Sequence, residues 1–407
     1  MPDALVARQP IFDRRLDVFG YELLFRNGVA DRAMVVDNSG ATATVALNTL
    51  TEIGVTRLVG QRTAWINVSR DFILDGFAKL LPPRVFVLEL LENQLIDAEL
   101  IEAVRELAAA GHRFALDDFV YSPEYEPLME IAEFVKLDLL ALGRDEFAIA
   151  AARLRNRDVT ALAEKVETQD DYRYCLELGC ELFQGYFFCR PEIVQSDRVD
   201  ASKSAVLGVL SELQDPAVEL ADLRHSIGQD PRLSYRLLRY LNSAYVGLGH
   251  EVRSIGQAVS LLGLDNLRRW ATLTMLTSVD IKPVELTRTA LTRARFCELC
   301  VDQIDDATAG ELFTVGLLSM LDAMLDASLP QLLGQMSLAP DLVAAITAGV
   351  GERARPLHTV RALEQGLADE ADELIDNAER LYLDAVIWAD QISDEVLESA
   401  PAPTAVV

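Results

Sequence analysis

Residues 113–119 read RFALDDF, a short β-prone run that stops on two consecutive carboxylates, Asp117 and Asp118. Immediately upstream, Leu100, Ile101, Val104 and Leu107 recur at helical spacing between Asp97 and Ala110, so a helix feeds a strand there. Downstream, Phe134 to Leu137 forms the next apolar run. Outward in both directions the alternation continues: Leu5 to Phe12, Val18 to Phe25, Thr63 to Val68, Val85 to Leu90, Val159 to Ala163 and Leu182 to Phe188 are further strand candidates. Strands and helices alternating in this way predict a mostly parallel sheet, and about eight repeats predict a closed β/α barrel of the TIM type. The first two runs lie too close together for a crossover helix, which predicts an opening hairpin.

A barrel of this kind builds its site where strands end at the C-terminal face. The runs end at, or contain near their ends, Glu22, Asn67, Glu89, Asp117 with Asp118, Lys136, Glu164 with Glu167, and Gln184. A lone carboxylate after a strand is ordinarily a helix cap. Its recurrence at nearly every strand instead predicts a site. Converging carboxylates raise one another's pKa unless cations neutralise them. Oxygen donors without histidine or cysteine suit Mg2+ or Mn2+ rather than zinc. Paired ions of this type promote displacement at phosphorus, and Lys136 is placed to orient a water. The residue types alone therefore predict metal-dependent phosphoester chemistry.

With 407 residues and a formal charge of −27, the chain predicts two domains and disfavours any nucleic-acid polymer as partner. No secretory segment is expected from the opening residues, which carry Asp3 and Arg8. Its most apolar stretch, Leu312 to Leu329, is interrupted by Asp322 and Asp326, so no membrane insertion is predicted and a cytoplasmic location is expected. Five irregularly spaced cysteines make neither a disulfide framework nor a zinc set. After Pro191 the polar stretch EIVQSDRVDASKS reads as a linker, and beyond it helical spacing dominates: Leu220, Leu223, Ile227; Leu233, Leu237, Leu238, Leu241; Ile255, Val259, Leu262. The expected division is a barrel over 1–192, a helical domain over 200–395 and a disordered tail over 396–407, where proline and small residues offer little to bury.

GYELLFR, INVS, LELLEN, LDDF, VKLD, AEKVET and FQGYFF follow in order the motifs of the EAL phosphodiesterase family, which the first 190 or so residues resemble. That family hydrolyses cyclic-di-GMP to linear pGpG. The resemblance implies metal-ligand roles for Glu22, Asn67, Glu89, Asp117, Asp118 and Glu164, and a water-assisting role for Lys136. It further implies supporting roles for Glu167 and Gln184, phosphate contact by Arg26, and anchoring by Glu92 of the loop after the two aspartates. The chain departs from the family where Phe-Gly-Thr-Gly becomes Phe119-Val120-Tyr121-Ser122-Pro123, losing two glycines. It departs again at Lys165, a bulky cation where the family carries glycine and a close backbone approach is expected.

The second half resembles the HDOD module through Asp230-Pro231-Arg232-Leu233-Ser234, Leu237-Leu238-Arg239, Asn242-Ser243-Ala244, Ser254-Ile255 and Leu262-Gly263. Asp230-Pro231 also reads simply as a helix start. Where a catalytic HD relative carries Gly-Leu-Leu-His-Asp, the chain has Gly316-Leu317-Leu318-Ser319-Met320, and no His-Asp pair occurs in the sequence. Together these resemblances imply a cyclic-di-GMP signalling protein, either a slow phosphodiesterase or a receptor or adaptor without turnover. They also imply a protein partner for the HDOD domain and a homodimer through the barrel.

Overall fold

In the computed structural model the residues described are 5–26, 55–91, 94–119, 121–189, parts of 261–272, and most of 283–397. Two compact units divide the chain, Met1–Arg190 with Ala362–Ala371, and Pro191–Arg361 with Asp372–Val407.

The first unit is the barrel. Strands β1 (Leu5–Asp13), β2 (Val18–Arg26), β3 (Thr63–Val68), β4 (Phe86–Leu90), β5 (Arg113–Leu116), β6 (Phe134–Asp138), β7 (Thr160–Glu164) and β8 (Leu182–Gln184) close in sequence order. The opening hairpin is present: β1 runs antiparallel to both β2 and β8, and all other neighbours are parallel. Asp13 makes the hairpin turn, its Oδ1 accepting from Arg15 N at 2.8 Å and Asp17 N at 3.0 Å.

The interior is layered by the strand period of two. Ile11, Trp65, Val87, Ala115, Phe134, Leu162 and Leu182 form one buried apolar cluster, with Phe19 against it. Trp65 fits because Gly20 has no side chain: a Cβ there would lie 2.6 Å from the indole nitrogen. Two positions along each strand from these residues stand Gln9, Asn67, Glu89, Asp117, Lys136, Glu164 and Gln184. An apolar floor therefore carries a polar layer one pleat above it.

Two of the sequence runs are strands over only part of their length. β8 ends at Gln184 rather than Phe188, because Gly185 turns the chain at φ 143°, and a Cβ there would sit 2.2 Å from Val166 O. Residues Tyr186–Cys189 then form a 3-10 turn whose Phe187 and Phe188 rings pack on Phe12, at 5.8 and 4.7 Å. β5 likewise stops at Leu116. Capped helices cover the outside. Asp97 caps Ala98–Ala109 through Leu100 N, and Thr168 caps Gln169–Glu177 through Asp171 N.

Described residues of the second unit are helical, including Val284–Leu299, Ala309–Leu318, Pro340–Thr347 and Ala378–Leu397. Ala309–Leu318 opens on a capping box between Thr308 and Glu311. It crosses Val284–Leu299 closely at Gly316, where a Cβ would lie 2.3 Å from Arg293 O. Leu291, Ala389 and Ile392 join Val284–Leu299 to Ala378–Leu397. Ser319 and Met320 are buried and face the Arg293 guanidinium, at 3.4 Å and 2.7 Å. The positions of a catalytic His-Asp pair are thus filled by groups that hold two helices together. The HDOD motif residues from Asp230 to Ile255 lie outside the described residues; of the tail expected over 396–407, Val396 and Leu397 instead close the last helix, and residues from 398 lie outside the described ones. Among the described residues no helix is long and apolar enough to cross a membrane. None of the five cysteines is in a disulfide, and Cys175, Cys180, Cys297 and Cys300 are buried.

Candidate metal and phosphoester site

Lys136 organises the polar layer. Its ammonium, 1% exposed, lies 2.8 Å from Asp117 Oδ1, 2.9 Å from Glu164 Oε1, 3.2 Å from Glu89 Oε1 and 3.3 Å from Glu22 Oε2. Four strands therefore present a carboxylate to one cation. Burial opposes the lysine's charge, yet these four anions outweigh it and hold its pKa well above the ordinary value. A single cation does not balance four anions. Burial, reinforced by Glu22, raises Glu89 well above the usual carboxylate range against the pull of Lys136. Burial likewise pushes Glu164 up to about 8.

The oxygen donors are left with unmet hydrogen-bonding capacity. Both carboxylate oxygens of the fully buried Glu89 and the Oδ1 of Asn67 have no hydrogen-bond partner. Glu89 Oε1 is near Lys136, but the angle makes no hydrogen bond. Buried orphan acceptors are rare in proteins, and a cation satisfies them. Asn67 and Glu89 are direct register partners on β3 and β4. Asn67 Nδ2 donates to Glu22 Oε1 at 3.2 Å, which leaves its oxygen available. Asp117, Asp118 and Glu164 form a second grouping whose ligand atoms lie within 4.8 Å of one another. Oxygen-only donors of this kind fit a hard divalent ion.

The structure brings Glu22, Asn67, Glu89, Asp117, Lys136, Glu164 and Gln184 together at the barrel mouth. Asp118 is exposed at the rim in a left-handed conformation, φ 42°. Glu167 is half-buried beside the cap residue Thr168. The side chain of Arg26 and the whole of Glu92 lie outside the described residues.

Two participants escaped the strand-end rule. Gln9 accepts from Gln184 Nε2 at 3.0 Å, and that same nitrogen donates to Glu22 Oε2 at 2.7 Å. Because β1 runs backwards, its mouth residue precedes the floor residue Ile11 instead of following it. The period-two spacing from Ile11 was the available signal. Asp138, one residue past the apolar run, caps the following helix through Leu140 N and Ala141 N. Its other oxygen pairs with Lys165 Nζ.

A close backbone approach in this region falls at Gly185, where a Cβ would lie 2.2 Å from Val166 O. Lys165 adopts φ 51°, a left-handed conformation that glycine would take without strain. The hydrogen bond to Asp138, chiefly, raises its pKa, with Asp138, Asp118 and Glu164 adding to the effect against burial. The described residues of the substituted loop after Asp118 are tied down. Phe119 is buried edge-on against Tyr125 at 5.6 Å, Tyr121 donates to Glu126 at 2.8 Å, and Arg157 grips Glu126 with two 2.8 Å bonds.

Residues 5–191 match the EAL domain and residues 202–335 the HDOD domain. Over 407 aligned residues the chain is 32% identical to "Cyclic di-GMP phosphodiesterase CdgJ" of Vibrio cholerae, covering 95% of this chain and 93% of that protein. It is 28% identical to "Uncharacterized protein YuxH" of Bacillus subtilis, covering 96% and 98%. Among solved structures, a "PaMucR Phosphodiesterase, c-di-GMP complex" is similar at 23% identity and a TM-score of 0.39, covering 45% of this chain and 94% of that one.

Proposed function

Because the chain belongs to the family of two-domain EAL–HDOD proteins, we propose that it is a cyclic-di-GMP signalling protein whose barrel binds the dinucleotide and opens it to pGpG with divalent metal. The observation that carries this reading is the set of orphaned acceptors, Asn67 Oδ1 and both Glu89 oxygens, buried beside Glu22 and Asp117. Glu22, Asn67, Glu89 and Asp117 would hold one Mg2+ or Mn2+, and Asp117, Asp118 and Glu164 a second. Such ions supply charge at a phosphoryl oxygen and ready a water for in-line attack.

The remaining chemistry belongs to the chain. Lys136 Nζ keeps the carboxylates together and offers its protons toward the water or the developing phosphorane charge. Burial pushes Glu164 up to about 8, so in the metal-free site its carboxyl holds a proton at neutral pH. Gln184 fixes Glu22 from the far side of the barrel closure, and Arg26 and Glu167 serve the bound dinucleotide. The HDOD unit passes the barrel's state to a protein partner, since its catalytic positions are occupied by structural groups.

The test is pGpG release from cyclic-di-GMP by the full chain in Mg2+ or Mn2+, run beside Glu22→Ala. Turnover that needs metal and vanishes in the variant supports the phosphodiesterase. Absence of turnover above the variant, with dinucleotide still bound in calorimetry, leaves a receptor. The anchored Phe119–Tyr125 loop and the left-handed Asp118 and Lys165 favour that second reading.

A further inference from the structure

Lys165 sits directly after Glu164 at the end of β7 and reaches Asp138 at the end of β6, the register partner of Glu164. Asp138 is 5% exposed and also caps a helix, so its carboxylate is fixed. The ammonium, on a side chain 58% exposed, is therefore held beside Asp138, where the charges of Asp118 and Glu164 also act on it. A lysine in this position carries a strained backbone, φ 51°, where glycine would be relaxed, and strain retained beside a site points to a role for the side chain.

We propose that Lys165 is a built-in cation that weakens the second divalent ion, at Asp117, Asp118 and Glu164, while leaving the first, at Glu22, Asn67, Glu89 and the shared Asp117, tight. The reasoning is electrostatic. The lysine charge acts against an arriving dication by cancelling Asp138, an anion at the same strand ends that would otherwise attract one. The effect falls off with distance and with solvent screening, so the site on the opposite strands, β2 to β4, is affected less. The result is a barrel charged with one ion at low metal concentration and with two only at high concentration. If attack at phosphorus needs both ions, as the proposed function has it, the metal level would set whether bound dinucleotide is kept or cleaved. This inference rests on the metal reading of the barrel given above.

The experiment is a Mn2+ titration of the full chain, read by electron paramagnetic resonance of free manganese and by calorimetry, without substrate. Lys165→Met keeps the side-chain length and the backbone strain but removes the charge, Lys165→Gly also relieves the strain, and Lys165→Arg restores the charge. Expected are two classes of site in the wild type. In both Lys165→Met and Lys165→Gly the weaker class tightens by about tenfold, the tighter class shifts less than about twofold, and Lys165→Arg behaves as wild type. A Lys165→Met chain that binds both ions as the wild type does overturns the proposal. So does tightening in Lys165→Gly alone, which would assign the effect to backbone strain. If neither wild type nor Lys165→Met takes up manganese, the metal reading of the barrel fails together with the inference. Binding to Lys165→Met alone upholds both, with the second ion excluded outright by the lysine.

Discussion

Gln184 donates one side-chain nitrogen to Glu22 at 2.7 Å and to Gln9 at 3.0 Å, so the last strand of the barrel fixes the carboxylate of the second through the seam that closes the ring. Groups that orient a ligand in this way typically contribute 10- to 100-fold to metal affinity. Gln184→Ala should therefore weaken Mn2+ binding by about tenfold or more while the barrel remains folded by circular dichroism. Unchanged affinity would show that Glu22 holds its position without this bond.

Glu89 and Lys136 should respond oppositely to neutralisation. Burial already drives Glu89 toward its protonated form, so Glu89→Gln in chelator should change stability by less than ~1 kcal/mol while abolishing metal binding. Lys136→Met leaves four carboxylates around an empty position, a loss on the order of 3–5 kcal/mol for a buried ion group. Urea denaturation of the two variants in EDTA distinguishes them.

The metal-free protein should lose stability as pH rises. Glu164 is pushed from 4.5 up to about 8 when folded, so between those values the folded state binds more protons than the unfolded chain. Its contribution is fully present below about pH 4.5 and gone above about 8. Melting temperatures in EDTA from pH 5 to 8.5 should fall more steeply for wild type than for Glu164→Gln. Equal slopes would remove Glu164 from the account.

Three glycine substitutions should form a graded series. Gly76 has φ 81° and open space around it, so alanine should cost about 1–2 kcal/mol of backbone strain alone. Gly316→Ala meets Arg293 backbone at 2.3 Å in a helix crossing, and about 1–3 kcal/mol follows from overpacking. Gly185→Ala combines φ 143° with Val166 O at 2.2 Å, and should cost at least ~3 kcal/mol. Denaturation midpoints should rank in that order.

The barrel and most of its mouth were legible because each forward strand carries an apolar floor residue followed two positions later by a polar one, as in Trp65 and Asn67 or Phe134 and Lys136. Gln9 was missed because its strand runs the other way, so its mouth residue comes first. Asp138 was missed because a carboxylate after a strand is ordinarily a helix cap, and Asp138 is one as well as a partner of Lys165. The end of β8 was overrun because Tyr186, Phe187 and Phe188 are as β-prone as a strand. Only the clash at Gly185 reveals the turn. Sequence alone marked Lys165 as an anomaly, but its pairing with Asp138 depends on two strand ends meeting in register.

The reversed first strand has a consequence for how the protein comes into being. Gln9 and Gln184 are 175 positions apart, so the seam between β1 and β8 can form only after nearly the whole barrel has left the ribosome. Until then β1 and the growing strand at the other end present unpaired edges, and Glu22 lacks the amide that fixes it. The nascent half-barrel therefore has an acidic mouth without its finished polar cage, and on the metal reading proposed above, ion uptake would report completed closure.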